Sequence, residues 1–335
     1  MDITVAVVAY NAAGCIRPCL ESLRRQTPHG GATEILVVDG CSNDGTPEIV
    51  REFGGGVRLI ENPGRTIASN RNVALREARH PFIAFTDADC VAPPHWLSAL
   101  ERGWTETAAA DPRTAGVGGG NVAPTADSPF LVALGIALNS FLGSLGSVQG
   151  RVLEERRPVA SLAGLNVLYA RAALEAAGGF DEALANMCED TDINYRLTRK
   201  GSALYFIPGA EVQHCARHDL RTWCRNMYAY GIGRARIMCK HRTLFSRAYS
   251  FAVGFLPALV LGSLIGIFWP WAWLVWLYIP AVIGAGFALA CRKKCSAGGR
   301  VALILLGTHI CYAIGLWRGF IIGYPYRSSN SMSRK

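Results

Sequence analysis

From Ala248 to Cys291 the chain carries not one charged side chain. Those 44 residues exceed twice the ~20 apolar residues that one helix needs to cross a hydrocarbon core. The stretch therefore predicts two spans, about 249–268 and 271–291, with Trp269-Pro270-Trp271 as the turn and interfacial aromatics between them. A third apolar run, 301–322, holds His309 and Arg318. A full crossing there would leave Arg327, Arg334 and Lys335 outside, against the positive-inside bias, whereas a re-entrant or interfacial segment keeps them inside.

The charge distribution fits this division. All 25 Asp and Glu lie within residues 1–219, with 19 of the 34 Lys and Arg, so that part carries −6. The net +9 belongs to the C-terminal third, where basic residues flank apolar runs. That pattern suits the anionic cytoplasmic face of a bilayer rather than nucleic acid. The expected organisation is a catalytic domain over 1–219, a basic interfacial helical segment over 220–248 and a membrane domain over 249–335 with two to three spans. The expected setting is the inner cell membrane, multi-pass, with the catalytic domain cytosolic. Eleven cysteines without CxxC pairs suit a reducing compartment, and residues 1–10 read as a buried strand rather than a signal peptide.

Within 1–219, apolar runs and amphipathic stretches alternate. Strands are expected at residues 1–10, 34–39, 57–60 and 82–87, with helices after Asn11, from Thr46 and over 66–78. Four alternations in about 90 residues predict an α/β fold with a doubly wound, mostly parallel sheet. Ligands of such sheets sit beyond the carboxyl ends of the strands, where Asp39, Asp87 and Asp89 fall. Paired acids there suit Mg²⁺ or Mn²⁺ on a phosphate. No GxGxxG follows the first strand and no GxxxxGK[ST] occurs, which disfavours nicotinamide enzymes and P-loop NTPases.

Further along, residues 116–121 read as a strand or turn, 128–149 as a surface helix against the membrane, and 159–169 as a strand. Glu189, Asp190 and Asp192 open a helix; they suit its dipole, and their crowding is expected to raise at least one pKa and make a general base. Short strands follow at 203–207 and 210–214, the second ending on His214, and a basic helix runs from 218 to 247.

The motifs Val8-Ala-Tyr10-Asn11, Val37-Val-Asp39-Gly-Cys-Ser42-Asn-Asp44-Gly45-Thr46, Asp87-Ala-Asp89, Gly178-Gly-Phe-Asp181-Glu182 and Glu189-Asp190 stand in a telling order. Over about residues 3–236 the chain resembles the family 2 glycosyltransferases of the GT-A (Rossmann-like) fold. It is most similar to the membrane-bound bacterial members that build exopolysaccharide repeats, such as succinoglycan glucosyltransferases. The resemblance implies a nucleotide-sugar donor, a UDP-sugar first among candidates, with Tyr10, Asn11, Asp39 and Arg71 at the donor site and Asp39 on the base. It places Asp87 on the ribose or metal, Asp89 on the metal, His214 near the diphosphate as a further metal residue, and Asp190 as the base of an inverting transfer.

The implied acceptor is a membrane glycan linked to a polyprenyl diphosphate; a polyprenyl phosphate or another lipid is the alternative. Gly40 stands where many members carry a second Asp. The QxxRW motif of processive synthases is absent, since Gln213 is followed by Ala216 and Arg217, which favours transfer of a single sugar. Residues 83–91 also fit the DxDx[TV] motif of haloacid dehalogenase phosphatases, with Asp87 as nucleophile. That chemistry needs an earlier lysine, and none precedes Lys200. A non-catalytic nucleotide-sugar binder is the remaining rival, and the intact Asp190 argues against it.

Overall fold

The computed structural model describes all residues except 29, 123–127, 145–150, 152, 216–218, 244–246 and 326–335, and the side chains of 247 and 248. Strands β1 (Ile3–Ala9), β2 (Thr33–Asp39), β3 (Val57–Glu61) and β4 (Phe82–Asp87) alternate with helices α1 (Ile16–Arg24), α2 (Thr46–Phe53) and α3 (Ile67–Glu77). After them come β5 (Cys90–Val91), α4 (Trp96–Ala110), β6 (Thr114–Gly118), β7 (Asn121–Val122), α5 (Pro129–Leu138), α6 (Phe141–Ser144) and β8 (Arg157–Pro158). Then β9 (Asn166–Ala170), α7 (Arg171–Ala176), α8 (Glu189–Arg199), β10 (Ala203–Phe206) and β11 (Val212–His214) complete the sheet region.

The main sheet has the order β3-β2-β1-β4-β9-β6-β10-β8. Strands β1 to β4 are mutually parallel, whereas β9 runs antiparallel to both β4 and β6. Every residue of β1 is buried, as a run covered on both faces must be. Val5 and Val7 pack under α1, α2 and α4, while Ala6 faces α3, α7 and α8. A small second sheet, β5-β11-β7, carries His214 beside Cys90.

The strand expected over 159–169 begins only at Asn166. Residues 163–166 turn instead, with Asn166 N–H donating to the Ala163 carbonyl (3.0 Å). Gly164 lies so close to Arg71 that a Cβ there would fall 2.1 Å from its Nη1, so backbone packs on a side chain where a ladder would otherwise run.

The C-terminal part is helical: α9 (Leu220–His241), α10 (Arg247–Gly266), α11 (Tyr278–Arg292) and α12 (Gly298–Ile322). The Trp269-Trp271 segment is not a simple turn, because Pro270 starts a 3-10 helix to Leu277 that continues into α11. Three helical segments, Tyr249–Gly266, Pro270–Arg292 and Gly298–Ile322, are long and apolar enough to cross a membrane. The third is one continuous helix of 25 residues. Its His309 is bonded at both ring nitrogens, to the Tyr278 hydroxyl and to the Leu142 carbonyl (2.7 Å), which satisfies one of the two polar side chains within that run, whereas Arg318 stays exposed. Arg327, Arg334 and Lys335, on which its orientation was argued, lie outside the described residues, as do Ala216 and Arg217. Of the 128–149 segment, residues 145–149 lie outside the described residues; the part before them contains α5 and α6, and Leu131, Leu134 and Ala137 pack with Val301 and Leu305 of α12.

Candidate active site

Parallel strands β2, β1 and β4 open their carboxyl ends to one edge, where Asp39 pairs in register with Ala9 and Asp87 with Val8. The loops after β1 and β2 are stitched together there. Asn11 N–H donates to Ser42 Oγ (2.7 Å), Asn43 N–H to Asn11 Oδ1 (3.1 Å), Ala12 N–H to Thr46 Oγ1 (2.8 Å) and Ala13 N–H to Asp44 Oδ2 (2.9 Å). Asn11 and Cys41 hold left-handed backbone (φ 48° and 56°), which costs a non-glycine residue energy unless its surroundings enforce it. Asp39 is fully buried, its carboxylate accepting from Ser42 N–H (2.7 Å) and Oγ (2.6 Å). Reaching a ligand with Asp39 therefore requires the Ser42 hydroxyl to yield. Tyr10, 55% exposed, presents an open ring at the lip. Gly40 is crowded: a Cβ there would stand 3.2 Å from Asn70 Nδ2 and 3.4 Å from Tyr10, so an Asp at this position needs its neighbours to shift.

Beyond β4, His214 Nε2 lies 3.1 Å from Asp89 Oδ2. Donor atoms of Asp89, Cys90 and His214 fall within 4.8 Å of one another. Burial, reinforced by Asp87 and Asp89, holds the Cys90 thiol well above its usual pKa, and Cys90 donates to Asp89 Oδ1 (3.8 Å). Cys90 is thus a neutral neighbour, and the effective donors are carboxylate oxygens and an imidazole. Burial works most strongly against the Asp89 charge, but the His214 hydrogen bond and charge, with backbone and Cys90 hydrogen bonds, together outweigh it and keep the pKa below the usual value. His214 Nδ1 is buried without a hydrogen-bond partner. A hard-oxygen and imidazole set of this kind fits Mg²⁺ or Mn²⁺ better than a thiolate-seeking ion.

Arg71 joins the two halves of the site. It is buried, pairs with Glu189 and places Nη2 3.4 Å from Asp87 Oδ1. Burial raises the Asp87 pKa, and Arg71 offsets part of the rise.

The three acids opening α8 are not crowded together, because one helical turn sends them to different sides. Glu189 turns to Arg71. Asp192, fully buried, accepts from Arg196 Nε (2.7 Å) and Lys240 Nζ (2.6 Å) and lies 2.7 Å from His241 Nε2. Asp190 faces a cavity, with Gly164 N–H donating to its Oδ2 (3.0 Å) and Thr191 N–H to its Oδ1 (2.6 Å). The raised pKa belongs to Glu189, pushed up to about 7 chiefly by burial and secondarily by Asp190.

That cavity, about 230 Å³, is the feature that the sequence reading lacked. Arg71, Asp87, Asp190 and Asn121 line it together with Tyr249, Phe255 and Tyr312 from the apolar helices. Asp39, Asp89 and His214 are not in its wall, so it lies on the α8 side of Asp87, away from the paired loops after β1 and β2. Asn121 Oδ1 and Arg71 Nε are buried in this region without hydrogen-bond partners.

A parallel sheet with acids at its carboxyl edge, continued by an antiparallel β9 and a carboxylate-bearing helix, defines a GT-A-type α/β fold. Among solved structures, the mannosyltransferase PcManGT from Pyrobaculum calidifontis, in complex with GDP-Man and Mn²⁺, superimposes with a TM-score of 0.58 at 21% identity, over 94% of this chain and 87% of that one. The family profile described as Glycosyl transferase family 2 matches residues 4–173, and the chain belongs to that family and is a glycosyltransferase. The succinoglycan biosynthesis protein ExoA of Rhizobium meliloti is 26% identical over 94% of this chain and 93% of its own length. The N-acetylglucosaminyl-diphospho-decaprenol L-rhamnosyltransferase of Mycobacterium tuberculosis is 29% identical over 64% of this chain and 76% of its own.

Proposed function

We propose that this enzyme transfers one sugar, with inversion, from a nucleoside-diphosphate sugar to a hydroxyl of a lipid-diphosphate-linked glycan, in exopolysaccharide or other cell-surface glycan synthesis. UDP-sugars are the first donors to test. The observation that carries the reading is the cavity shared by Asp190, Asp87 and the apolar helices. Such a cavity puts Asp190 beside the apolar helices, within reach of an acceptor held in a bilayer. The rhamnosyltransferase relative, named for a decaprenol-linked acceptor, supports the same substrate class. The organisation we propose is a cytosolic 1–219 domain held by 220–248 against a multi-pass 249–335 domain in the inner membrane.

Tyr10, Asn11 and Asp39 form the donor-side lip for the base, and Asp87 and Arg71 stand next to the sugar. Asp89, Asp87 and His214 would hold Mg²⁺ or Mn²⁺. When bound, that ion neutralises the departing diphosphate. Asp190 has its carboxylate oriented by Gly164 and Thr191 and takes the proton of the attacking hydroxyl, which then displaces the diphosphate from the opposite face of the anomeric carbon. One displacement by an oxygen nucleophile inverts the configuration. Arg71 keeps the Asp190 turn in register with the donor edge.

Purified protein, given a panel of nucleotide sugars and lipid-linked acceptors, is expected to give a single-sugar product of inverted anomeric configuration, read by NMR. Retention of configuration, or full activity in excess chelator, would overturn the mechanism.

A further inference from the structure

Helix α9 is approached closely on two sides at its glycines. A Cβ on Gly233 would fall 2.8 Å from Cys188 Sγ and Met187 Cβ, so α9 lies directly on the turn that opens α8. On another side, a Cβ on Gly231 would meet the Tyr312 carbonyl at 2.2 Å, and one on Gly315 the Tyr228 carbonyl at 2.0 Å. Small residues let helix backbones meet in this way. Arg234 follows Gly233 at once and so stands where α8, α9 and α12 converge.

Arg234 lines the same cavity as Asp190. Its guanidinium carbon sits 4.6 Å over the Tyr249 ring, and Tyr312 is a hydrogen-bond partner. A guanidinium remains charged in such surroundings, and its planar fork matches a phosphate. Phe251 and Phe255 of α10 complete the wall beside it. At about 230 Å³ the cavity falls below the ~300 Å³ at which small-ligand pockets begin. A sugar and phosphate head group suits that space and a long isoprenoid chain does not.

We propose that Arg234, backed by Tyr249 and Tyr312, binds the phosphate of an isoprenoid-diphosphate-linked acceptor, and that Phe251 and Phe255 mark where its hydrocarbon chain leaves for the bilayer. This deepens the transferase reading and rests on it. The site lies on the acceptor side of Asp87 and is separate from the Asp89 and His214 edge that faces the donor diphosphate.

The test uses the full chain in detergent micelles with chelator present, so that no diphosphate is retained by a metal at Asp89. Three probes are compared: a short isoprenyl diphosphate, the isoprenyl alcohol of equal length, and inorganic diphosphate. The wild type is expected to bind the isoprenyl diphosphate most tightly. Arg234→Gln is expected to weaken that binding roughly 10- to 100-fold, the scale of charge-assisted hydrogen bonds, and to leave the alcohol unaffected. Arg234→Lys, which keeps the charge and loses the fork, should weaken it several-fold and serves if the neutral variant does not fold.

Equal isoprenyl diphosphate affinity in the wild type and either variant overturns the Arg234 assignment. Inorganic diphosphate bound as tightly as the isoprenyl form overturns the lipid assignment in favour of a free-phosphate site. Metal-dependent UDP-sugar binding is read separately on the same proteins with Mn²⁺ in place of the chelator and should survive in both variants. Its absence from the wild type would sink the transferase reading itself.

Discussion

Arg71 on α3 is ion-paired with Glu189, 118 residues further along the chain. With Asp87 Oδ1 at 3.4 Å from its other terminal nitrogen, one guanidinium ties the start of α8 to the end of β4. Arg71→Lys puts a point charge where a fork spans two carboxylates. We expect kcat to fall about 10- to 100-fold through misplacement of Asp190, and stability to fall by about 2 kcal/mol as one charge-assisted hydrogen bond of the fork is lost while the charge stays. A folded Arg71→Lys enzyme with wild-type kcat would show that the tie is dispensable.

The same pair predicts a pH signature. Glu189 holds its proton up to about 7 in the fold, against 4.5 ordinarily, mainly because it is buried. A carboxyl whose folded pKa is raised contributes stability at low pH that fades as pH climbs through that interval. Glu189→Gln should remove this contribution, so the Tm of the wild type should decline relative to the variant as pH rises from 4.5 to about 7. Parallel Tm profiles would contradict it.

Asp190→Asn keeps the shape and loses the ability to accept a proton. Transfer should drop by roughly 10²-fold or more, the range of general-base catalysis, while donor binding persists. Near wild-type turnover from the folded variant would move the role to another group. Asp192 is then a poor substitute, being enclosed by Arg196, Lys240 and His241.

Asp89→Ala should abolish turnover together with metal-dependent binding of nucleoside diphosphate, and His214→Ala should weaken the metal. Isothermal titration with Mn²⁺ and UDP reads both. Unaltered Mn²⁺ dependence in the two variants would place the ion elsewhere.

Single cysteines at 270 and 293 in a cysteine-free background test the membrane arrangement. An impermeant thiol reagent applied to intact cells should label position 270 and spare 293. The reverse pattern would invert the topology.

The alternation of strands and helices through β4 was legible because each strand there is a short apolar run closed by an acid or a turn. Strand direction was not: nothing in Asn166–Ala170 reports that it runs antiparallel to β4. Position at strand ends pointed to Asp87, Asp89 and His214, the family resemblance singled out Asp190, and the structure brings Asp89 to His214. The pairing of Arg71 with Glu189 was invisible because it joins positions 118 residues apart. At residues 189–192 the raised pKa falls on Glu189, where burial leads and Asp190 adds less, because on a helix near neighbours in sequence diverge in direction. The cavity arises only when α9 docks on α8 and α12. Gly231 and Gly233 within one helix, and Gly315 and Gly319 within an apolar one, were the available signal.

Asp192 has a practical consequence. Two of its three side-chain partners, Lys240 and His241, lie at the far end of α9, and Lys240 also grips Asp181, which the Tyr324 hydroxyl bonds from beyond α12. A truncated chain ending at residue 219 would retain the whole sheet yet strand a carboxylate in the interior with only Arg196. Such a fragment should be prone to aggregation, and the polypeptide reaches its finished catalytic shape only once α9 has folded back to seal that charge.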